Sequence, residues 1–276
     1  MSESNPWQKY FRQPSFYMRL PSGGKYYPAD MLDMPENGEL PVFPMTAFDE
    51  ITYRTADALF NGSAVVNVIQ SCVPAIKDAW QVPAMDIDTI LVSIRIASYG
   101  HEMEFESVCP ACGEENNYAL DLRMVMENIG HPDYTKTVQT GDVEIVFKPL
   151  SYKQANSNSM KQFEDQKLIE MLPESDLPDE EKLQLIKDAY LKLTEYTIQG
   201  IADSIQHIRA GDNIVTDKHH IAEFVRNADR KIFEKIREVI VQQKADSEIK
   251  PVSITCTKCE HTYESPLTLD ASNFFV

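Results

Sequence analysis

Hydrophobic residues recur at helical spacing in the part of the chain that precedes residue 100. Thr46-Ala-Phe-Asp49 resembles a capping box, in which two side chains bond the first backbone amides of a helix, and we expect this helix to end near Asn61-Gly62. The same periodicity predicts two more helices, over residues 63–72 and 86–98. Residues 46–100 are therefore expected to form a small helical region.

A second and larger helical region is predicted over residues 126–249. It begins with a strand, because Asp142–Lys148 alternate between apolar and polar side chains before Pro149. Ser151 is a suitable N-cap for a helix that continues to about Met171. Further helices are predicted over residues 178–210, from a cap at Thr216 through Phe224, and over residues 228–244.

The long helix predicted over residues 178–210 carries two apolar stripes. The first stripe contains Leu183, Ile186, Tyr190 and Leu193, and the second contains Ile198, Ile201, Ile205 and Ile208. The second stripe is shifted around the helix, which implies that the helix changes its partner face along its length. Stripes at this spacing are more often core than partner-binding grooves, so we expect both to face inward.

Four of the five cysteines form two similar Cys-x-x-Cys segments. Cys109-Pro-Ala-Cys112 and Cys256-Thr-Lys-Cys259 each lie between two stretches in which apolar and polar residues alternate. This alternation predicts a strand on either side of each cysteine pair. Each segment therefore has the pattern of a β-hairpin with the cysteine pair at its turn.

Four thiolates in two such turns make the ligand set of a structural zinc ion, because two pairs complete a tetrahedron. A redox pair would usually stand alone at the start of a helix, which makes redox chemistry the weaker interpretation. A catalytic zinc would need an open coordination position, and four thiolates fill the shell. Cys72 lies in an apolar segment and is expected to pack in the core. The sequence predicts one structural zinc per chain, held in a zinc ribbon that residues 101–125 and 250–272 form around the helical insertion.

Both ends of the chain are rich in aromatic residues. Residues 1–45 also contain several prolines, which exclude a long helix and favour an extended arm, and residues 273–276 form a short apolar tail. Aromatic side chains are common anchors of protein interfaces. The residues predicted to contact partners are Trp7, Tyr10, Phe11, Phe16, Tyr17, Phe274 and Phe275. The equally weighted alternative is that both ends fold back onto the protein itself.

The chain is strongly acidic, with 26 Lys and Arg against 43 Asp and Glu and a formal net charge of −17. This charge repels phosphate groups, so we expect protein partners, no nucleic acid and no anionic membrane surface. Neither a membrane span nor a secretory leader is predicted, which favours the cytoplasm. Gly23-Gly24-Lys25 lacks the spacing of a phosphate loop, and His219 and His220 diverge on adjacent positions of a predicted helix. No catalytic residue and no small-molecule substrate is predicted.

Several segments together resemble the T-even-type bacteriophage baseplate protein family. They are Leu20–Pro28, Phe43–Thr46, Asp57–Gly62, the two cysteine pairs, Lys148–Tyr152 and Leu269–Phe275. The resemblance spans nearly the whole chain and rests on the ordered combination of these segments. It implies a non-enzymatic role at the baseplate hub of a contractile phage tail, as a hub subunit or as a factor that helps the hub assemble.

The resemblance also implies that the partners are other baseplate and tail hub proteins. The protein would then lie in the host cytoplasm during assembly and, as a hub subunit, in the virion. A nucleic-acid-binding zinc ribbon is the alternative function, but the few basic residues near the cysteines are outnumbered by acidic ones. We therefore predict an α+β, predominantly helical scaffold protein with a structural zinc.

Overall fold

The computed structural model describes Trp7, Phe275 and residues 10–53, 62–175 and 177–267. Over these residues it is an α+β protein in which helices contain more residues than strands, as predicted. The chain divides into two compact units, one made of residues 1–131 and 247–276 and the other of residues 132–246. The domain limits given by the sequence pattern stay predictions. No helix in the described part of the chain is long and apolar enough to cross a bilayer.

The first unit combines short strand pairs with helices around α3. Its elements in chain order are β1 (Phe16–Met18), β2 (Leu40–Val42), α1 (Ala47–Tyr53), α2 (Ser63–Cys72), α3 (Ala84–Tyr99), β3 (Glu102–Val108), β4 (Glu115–Asp121), α4 (Leu122–Glu127), β9 (Val252–Thr255) and β10 (Thr262–Ser265). The helices predicted over residues 63–72 and 86–98 are thus confirmed as α2 and α3. The helix predicted from Thr46 is present as α1, and its expected end near Asn61 lies outside the described residues.

Helix α3 is the centre of the first unit because side chains on several of its faces are buried. Ile90 and Ile94 lie on one face and Val92 on the opposite face, and all three are fully buried. Strands β1 and β2 pair antiparallel and contact α3, so the described part of the N-terminal segment packs against the unit. The sequence predicted an extended arm here. The described part of this segment forms short strands and turns, and it buries Met18, Leu20 and other apolar side chains.

A buried carboxylate fixes the Leu20–Pro28 segment to the start of α3. Asp86 accepts hydrogen bonds from the backbone amide of Ser22 at 2.8 Å, the hydroxyl of Ser22 at 2.6 Å and the hydroxyl of Tyr27 at 3.0 Å. Gly24 has a φ of +78°, and a Cβ atom there would lie 2.6 Å from the side chain of Met34. The two glycines of this segment therefore serve a close turn, and no phosphate site is required to explain them.

We expect the stability of the first unit to depend on the protonation of Asp86. Burial raises the pKa of Asp86 to about 6, although the hydrogen bonds from Ser22 oppose the shift. The folded state then binds a proton more tightly than the unfolded state, so stability from this group increases as the pH falls from 7.5 to 5. Between pH 7.5 and pH 5, the free energy of unfolding of wild type should rise by about 1 kcal/mol more than that of Asp86→Asn. Denaturant unfolding of both proteins at the two pH values measures this difference, and equal pH dependence would contradict it.

The second unit combines a four-stranded antiparallel sheet with four helices. Its elements are β5 (Thr137–Thr140), β6 (Val143–Phe147), α5 (Tyr152–Met171), α6 (Asp179–Ser204), β7 (Ile205–Ala210), β8 (Asn213–Val215), α7 (Lys218–Asn227) and α8 (Arg230–Ser247, whose last residue falls outside the unit). The strands lie in the order β5-β6-β7-β8. The core between sheet and helices is formed by Phe147, Ile205, Ile221, Ile236 and neighbouring apolar residues.

The helix predicted over residues 178–210 is wrong in its last part. Helix α6 ends at Ser204, and Ile205–Ala210 form strand β7, which pairs with β6 and β8. Ile205 and Ile208 are buried in the sheet, so their apolar spacing was correctly assigned to the core but to the wrong element. A three-residue spacing suits a helix, and the strand accommodates it through an irregularity in the β6–β7 pairing between Val146 and Phe147. Ile205 and Ile208 lie opposite Phe147 and Ile145, so both reach the same core.

The helix caps of this unit and the first apolar stripe of α6 can be compared with the sequence predictions. The Ser151 cap is confirmed, because its hydroxyl accepts from the amide of Gln154 while the Gln154 side chain accepts from the amide of Ser151. The cap of α7 is Asp217 instead of Thr216. In the first stripe of α6, Leu183 and Tyr190 are 69% and 57% exposed, so the expectation that the whole stripe faces inward is wrong.

Candidate metal centre

Two antiparallel hairpins carry the four predicted cysteine ligands. Strands β3 and β4 pair from Glu102 opposite Asp121 to Val108 opposite Glu115, and β9 and β10 pair from Val252 opposite Ser265 to Thr255 opposite Thr262. In each hairpin the Cys-x-x-Cys segment lies in the turn between the strands. The strand-turn-strand pattern predicted around each cysteine pair is therefore present.

The two turns have the same backbone geometry. The amide of Cys109 donates to the carbonyl of Glu114 at 2.8 Å, and the amide of Cys256 donates to the carbonyl of His261 at 2.9 Å. The residue after the second cysteine is left-handed in both turns, with a φ of +73° at Gly113 and +58° at Glu260. The hydrogen bonds close the turns, and the left-handed residue turns the chain back towards the returning strand.

The turns bring the four sulfur atoms into one cluster. The Sγ atoms of Cys109 and Cys259 are 3.7 Å apart, as are those of Cys112 and Cys256. All four sulfurs lie within 4.8 Å of one another. Cys109 and Cys256 are buried while Cys112 and Cys259 are exposed, so the cluster lies at the surface with one side covered.

The spacing of the sulfurs fits a tetrahedral metal ion. Four sulfurs about 2.3 Å from a zinc ion would be about 3.8 Å from each other. The 3.7 Å separations match this edge length, and they are far longer than the roughly 2.0 Å of a disulfide bond. The donor set of four thiols therefore fits a soft divalent ion held in a closed shell.

Backbone amides around the sulfurs favour the thiolate form that a metal requires. The amides of Cys259 and Lys258 donate to the sulfur of Cys256 and lower its pKa to about 6. The amide of Glu114 is directed at Cys112 and the amide of His261 at Cys259, and both lower the pKa of the thiol they face. The neighbouring sulfurs and burial outweigh them, so the pKa of Cys112 is raised to about 12 and that of Cys259 is also raised. The turns thus supply positive dipoles around the sulfurs before any ion is considered.

Asn116 joins the two hairpins at the metal centre. Asn116 is only 3% exposed. Its side-chain Nδ2 lies 3.6 Å from the sulfur of Cys256 and donates to the carbonyl of Glu114 at 3.0 Å. Its Oδ1 accepts from the amide of Thr257 at 3.0 Å and from the hydroxyl of Thr257 at 2.6 Å. This residue was not identified from the sequence, where its only signal was an asparagine four residues beyond the first cysteine pair.

Other contacts hold the hairpins together along their lengths. The hydroxyl of Tyr118 donates to the carbonyl of Thr255 at 3.0 Å, and the hydroxyls of Ser107 and Ser265 are 2.9 Å apart. At the surface, the Lys258 ammonium lies 2.5 Å from the Glu114 carboxylate. Because this ion pair is exposed, its contribution to stability is small, and the buried Asn116 bonds matter more.

We expect Asn116→Ala to loosen the metal centre without removing a ligand. The substitution leaves the Thr257 amide without its side-chain acceptor, and it removes the donor beside the Cys256 sulfur. Loss of such an outer partner typically lowers metal affinity by about 10- to 100-fold. Competition with a chromophoric chelator measures this affinity. The neighbouring Asn117→Ala is the control, since Asn117 is exposed, and equal affinities in the two variants would contradict the role of Asn116.

Comparison with known protein families places most of the chain in one family model. Residues 50–276 match the family described as T4 bacteriophage base plate protein. The chain belongs to this family. No curated protein and no solved structure matches the chain. The match confirms the family resemblance drawn from the sequence motifs, and it supports a structural role in the baseplate of the phage tail.

The remaining cysteine of this baseplate family member lies apart from the metal centre. Cys72 is fully buried at the end of α2, and burial raises the pKa of its thiol to about 12. Its sulfur lies 3.7 Å from a guanidinium nitrogen of Arg12, which also contacts Asp49 at 3.1 Å. The structure therefore places Cys72 in the core, as the sequence predicted.

Asp217, His219 and His220 form a second group of possible ligand atoms in the second unit. One possible ligand atom from each of Asp217, His219 and His220 lies within 4.8 Å of the others. All three residues are exposed, and Asp217 already accepts from the amide of His220 as the cap of α7. The two rings, which the sequence predicted to diverge, therefore each bring one nitrogen close to Asp217, but unlike the cysteine cluster this group has no buried member.

The structure separates the aromatic residues predicted to contact partners into two groups. Trp7, Tyr10, Phe11 and Tyr17 are each more than half exposed, and Phe16 is half-buried. Phe275 is 3% exposed and packs edge-on against Tyr53 with ring centroids 4.8 Å apart. Phe274 lies outside the described residues. The burial of Phe275 agrees with the alternative that the chain end folds back onto the protein. The predicted partner contacts stay predictions.

Proposed function

We propose that this baseplate protein is a scaffold of the baseplate hub whose two cysteine hairpins form a zinc ribbon. The observation that carries the proposal is the cluster of four sulfurs with separations of 3.7 Å, in a chain of the baseplate family. Cys109, Cys112, Cys256 and Cys259 would hold the ion. A closed thiolate shell supplies cross-linking, and it leaves no position for a substrate.

The metal would join segments that are far apart in the sequence. Residues 113–255 separate the two cysteine pairs, and the second unit is formed entirely from within this stretch. Contacts between the hairpins among the described residues include hydrogen bonds of Asn116 and Tyr118, the pair of hydroxyls of Ser107 and Ser265, and the exposed ion pair of Lys258 with Glu114. A zinc ion would therefore hold together the two segments of the first unit that flank the inserted unit in the sequence.

A structural role in protein assembly also fits the charge of the protein. Its net charge of −17 disfavours nucleic acid, and near the metal centre the Lys258 ammonium is already paired with Glu114. The exposed N-terminal aromatics Trp7, Tyr10, Phe11 and Tyr17 provide apolar contact surface for other hub proteins. We propose that these residues bind partners after the protein is made in the host cytoplasm.

Association with the baseplate tests this function. Quantitative mass spectrometry of purified virions, isolated baseplates and infected-cell lysate should find the protein with hub components. Enrichment in finished virions indicates a hub subunit, and enrichment only in assembly intermediates indicates an assembly factor. Replacement of Trp7, Tyr10 and Phe11 together by alanine should reduce the association, with exposed Ile214→Ala as the control. Absence from both virions and intermediates would contradict the proposal.

A further inference from the structure

A long helical hairpin extends from the core of the second unit. Helices α5 and α6 pack against each other, but only residues near the C-terminal end of α6, such as Ile201 and Ala202, belong to the buried core of the unit. Asp165 is the one fully buried residue of α5. At about 1.5 Å per residue, the 26 residues of α6 span roughly 39 Å, so most of the hairpin lies beyond the core.

The far end of this hairpin exposes apolar side chains that the helix-helix contact does not use. The contact face of α6 contains Ile186, Ala189 and Leu193, which are buried or half-buried. At the turn between the helices, Leu168, Met171, Leu177 and Leu183 are 38%, 62%, 39% and 69% exposed. We call these four residues, together with the buried Leu172 beneath them, the tip surface.

The tip surface contains a cavity that can take an apolar side chain. Leu168, Met171, Leu172 and Ser175 line a space of about 450 Å³. Three of these four residues are apolar. An exposed apolar surface with a depression is typical of sites that receive an anchor residue from another protein.

Acidic side chains predominate around the tip surface. Glu170 lies beside Met171, and the first turn of α6 exposes Asp179, Glu180 and Glu181. No salt bridge among the described residues neutralises these four carboxylates.

The nearest basic side chains are already engaged with groups of the hairpin itself. Lys182 donates to the carbonyl of Pro173 at 3.2 Å, and the ammonium of Lys167 lies 5.7 Å from the ring centroid of Phe163. The acidic rim of the tip surface is therefore available to a basic partner.

We propose that the tip surface binds an amphipathic helix of another protein, one that presents apolar anchors flanked by Lys or Arg. Apolar anchors would fill the cavity, and the basic residues would pair with the acidic rim. A second copy of this chain would bring a like-charged rim, and anionic lipid or nucleic acid would be repelled for the same reason. The proposal rests on the baseplate role only in that the partner would be another protein of the same assembly.

Peptide binding to the full-length protein tests this assignment. The probe is a fluorescent peptide of about 18 residues, or five helical turns, with leucines at helical spacing and lysines elsewhere. A scrambled peptide and a version with glutamate in place of lysine serve as comparisons. Anisotropy should show that the leucine-lysine helix binds and the glutamate version does not. Scrambling should weaken binding, because it removes the continuous apolar face.

Two pairs of variants separate specific binding from general attraction of charge. Leu168→Glu with Met171→Glu should weaken binding about tenfold or more, while Val241→Glu, which alters an exposed apolar residue of α8, should not. Glu180→Lys with Glu181→Lys should weaken binding similarly, while Asp212→Lys with Glu223→Lys should not. Circular dichroism verifies that each variant is folded.

Several outcomes would overturn the assignment. They are no binding of the leucine-lysine helix, equal binding by tip and control variants, self-association that Met171→Glu abolishes, and tip-dependent binding to zwitterionic lipid vesicles. The last two would identify a second copy or a membrane as the occupant. Neither zinc content nor baseplate association enters this test, so its failure leaves the proposed function unaffected.

Discussion

Replacement of Cys256 by serine should abolish stoichiometric metal binding and greatly destabilise the first unit. The substitution removes one of the four clustered sulfurs, the one that also contacts Asn116. Structural zinc in small peptides contributes on the order of 10 kcal/mol of apparent binding free energy at neutral pH, so loss of even part of it should be large. Elemental analysis and thermal unfolding of purified protein measure the two effects. Cys109→Ser should behave in the same way.

Cys72→Ala is the matched control for this experiment. Cys72 is the fifth cysteine, fully buried and outside the cluster. The control should lose some stability through a small cavity, but it should keep its metal. If Cys256→Ser and Cys109→Ser both kept metal and melted like wild type, the assignment of a metal ion to the cysteine cluster would be wrong. If Cys72→Ala also lost the metal, general destabilisation would explain the loss.

Phe147→Ala should destabilise the second unit by about 3–5 kcal/mol while leaving metal content unchanged. Phe147 is fully buried in β6 and belongs to the apolar core that sheet and helices share. Truncation of a large core side chain removes its buried surface and leaves a cavity, which explains the size of the effect. Hydrogen exchange of β5–β8 and denaturant unfolding measure it.

The exposed residue Ile214 on β8 provides the control for this substitution. Ile214 is 55% exposed, so Ile214→Ala should change stability by no more than about 0.5 kcal/mol. A loss of metal in Phe147→Ala would contradict the separation of the two units, because all four cysteines lie outside residues 132–246. A loss below about 1 kcal/mol would contradict the core assignment of Phe147.

The cysteine cluster could be predicted because its signals are local. Each Cys-x-x-Cys pair is a short segment with alternating residues on both sides, and a tetrahedral metal needs two such pairs. The pairing of segments 144 residues apart, such as Cys112 with Cys256, then followed from ligand number alone. Asn116 could not be found in this way. Its role depends on Thr257 and Cys256, which the folded chain brings to it from the other hairpin.

The sequence predicted the fold correctly where the signals of an element lie within the element itself. Helices α2 and α3 and the Ser151 cap agree with their local signals. Strand β7 was missed because the three-residue spacing of Ile205 and Ile208 suits a helix. It fits the strand only through an irregular pairing with β6, and the pairing with β6 and β8 depends on distant residues. The exposure of Leu183 had a different cause. Apolar periodicity indicates a face, but the contact of α6 with α5 selects Ile186, Ala189 and Leu193.

The metal content of the full-length protein tests the central claim most directly. Native mass spectrometry of protein purified without chelators should show one zinc ion per chain, and replacement by cobalt should give the visible absorption of a tetrahedral thiolate site. The Cys256→Ser protein should show neither. A fully folded wild-type protein that contains no metal, or that contains iron in place of zinc under zinc-replete conditions, would contradict a structural zinc at Cys109, Cys112, Cys256 and Cys259.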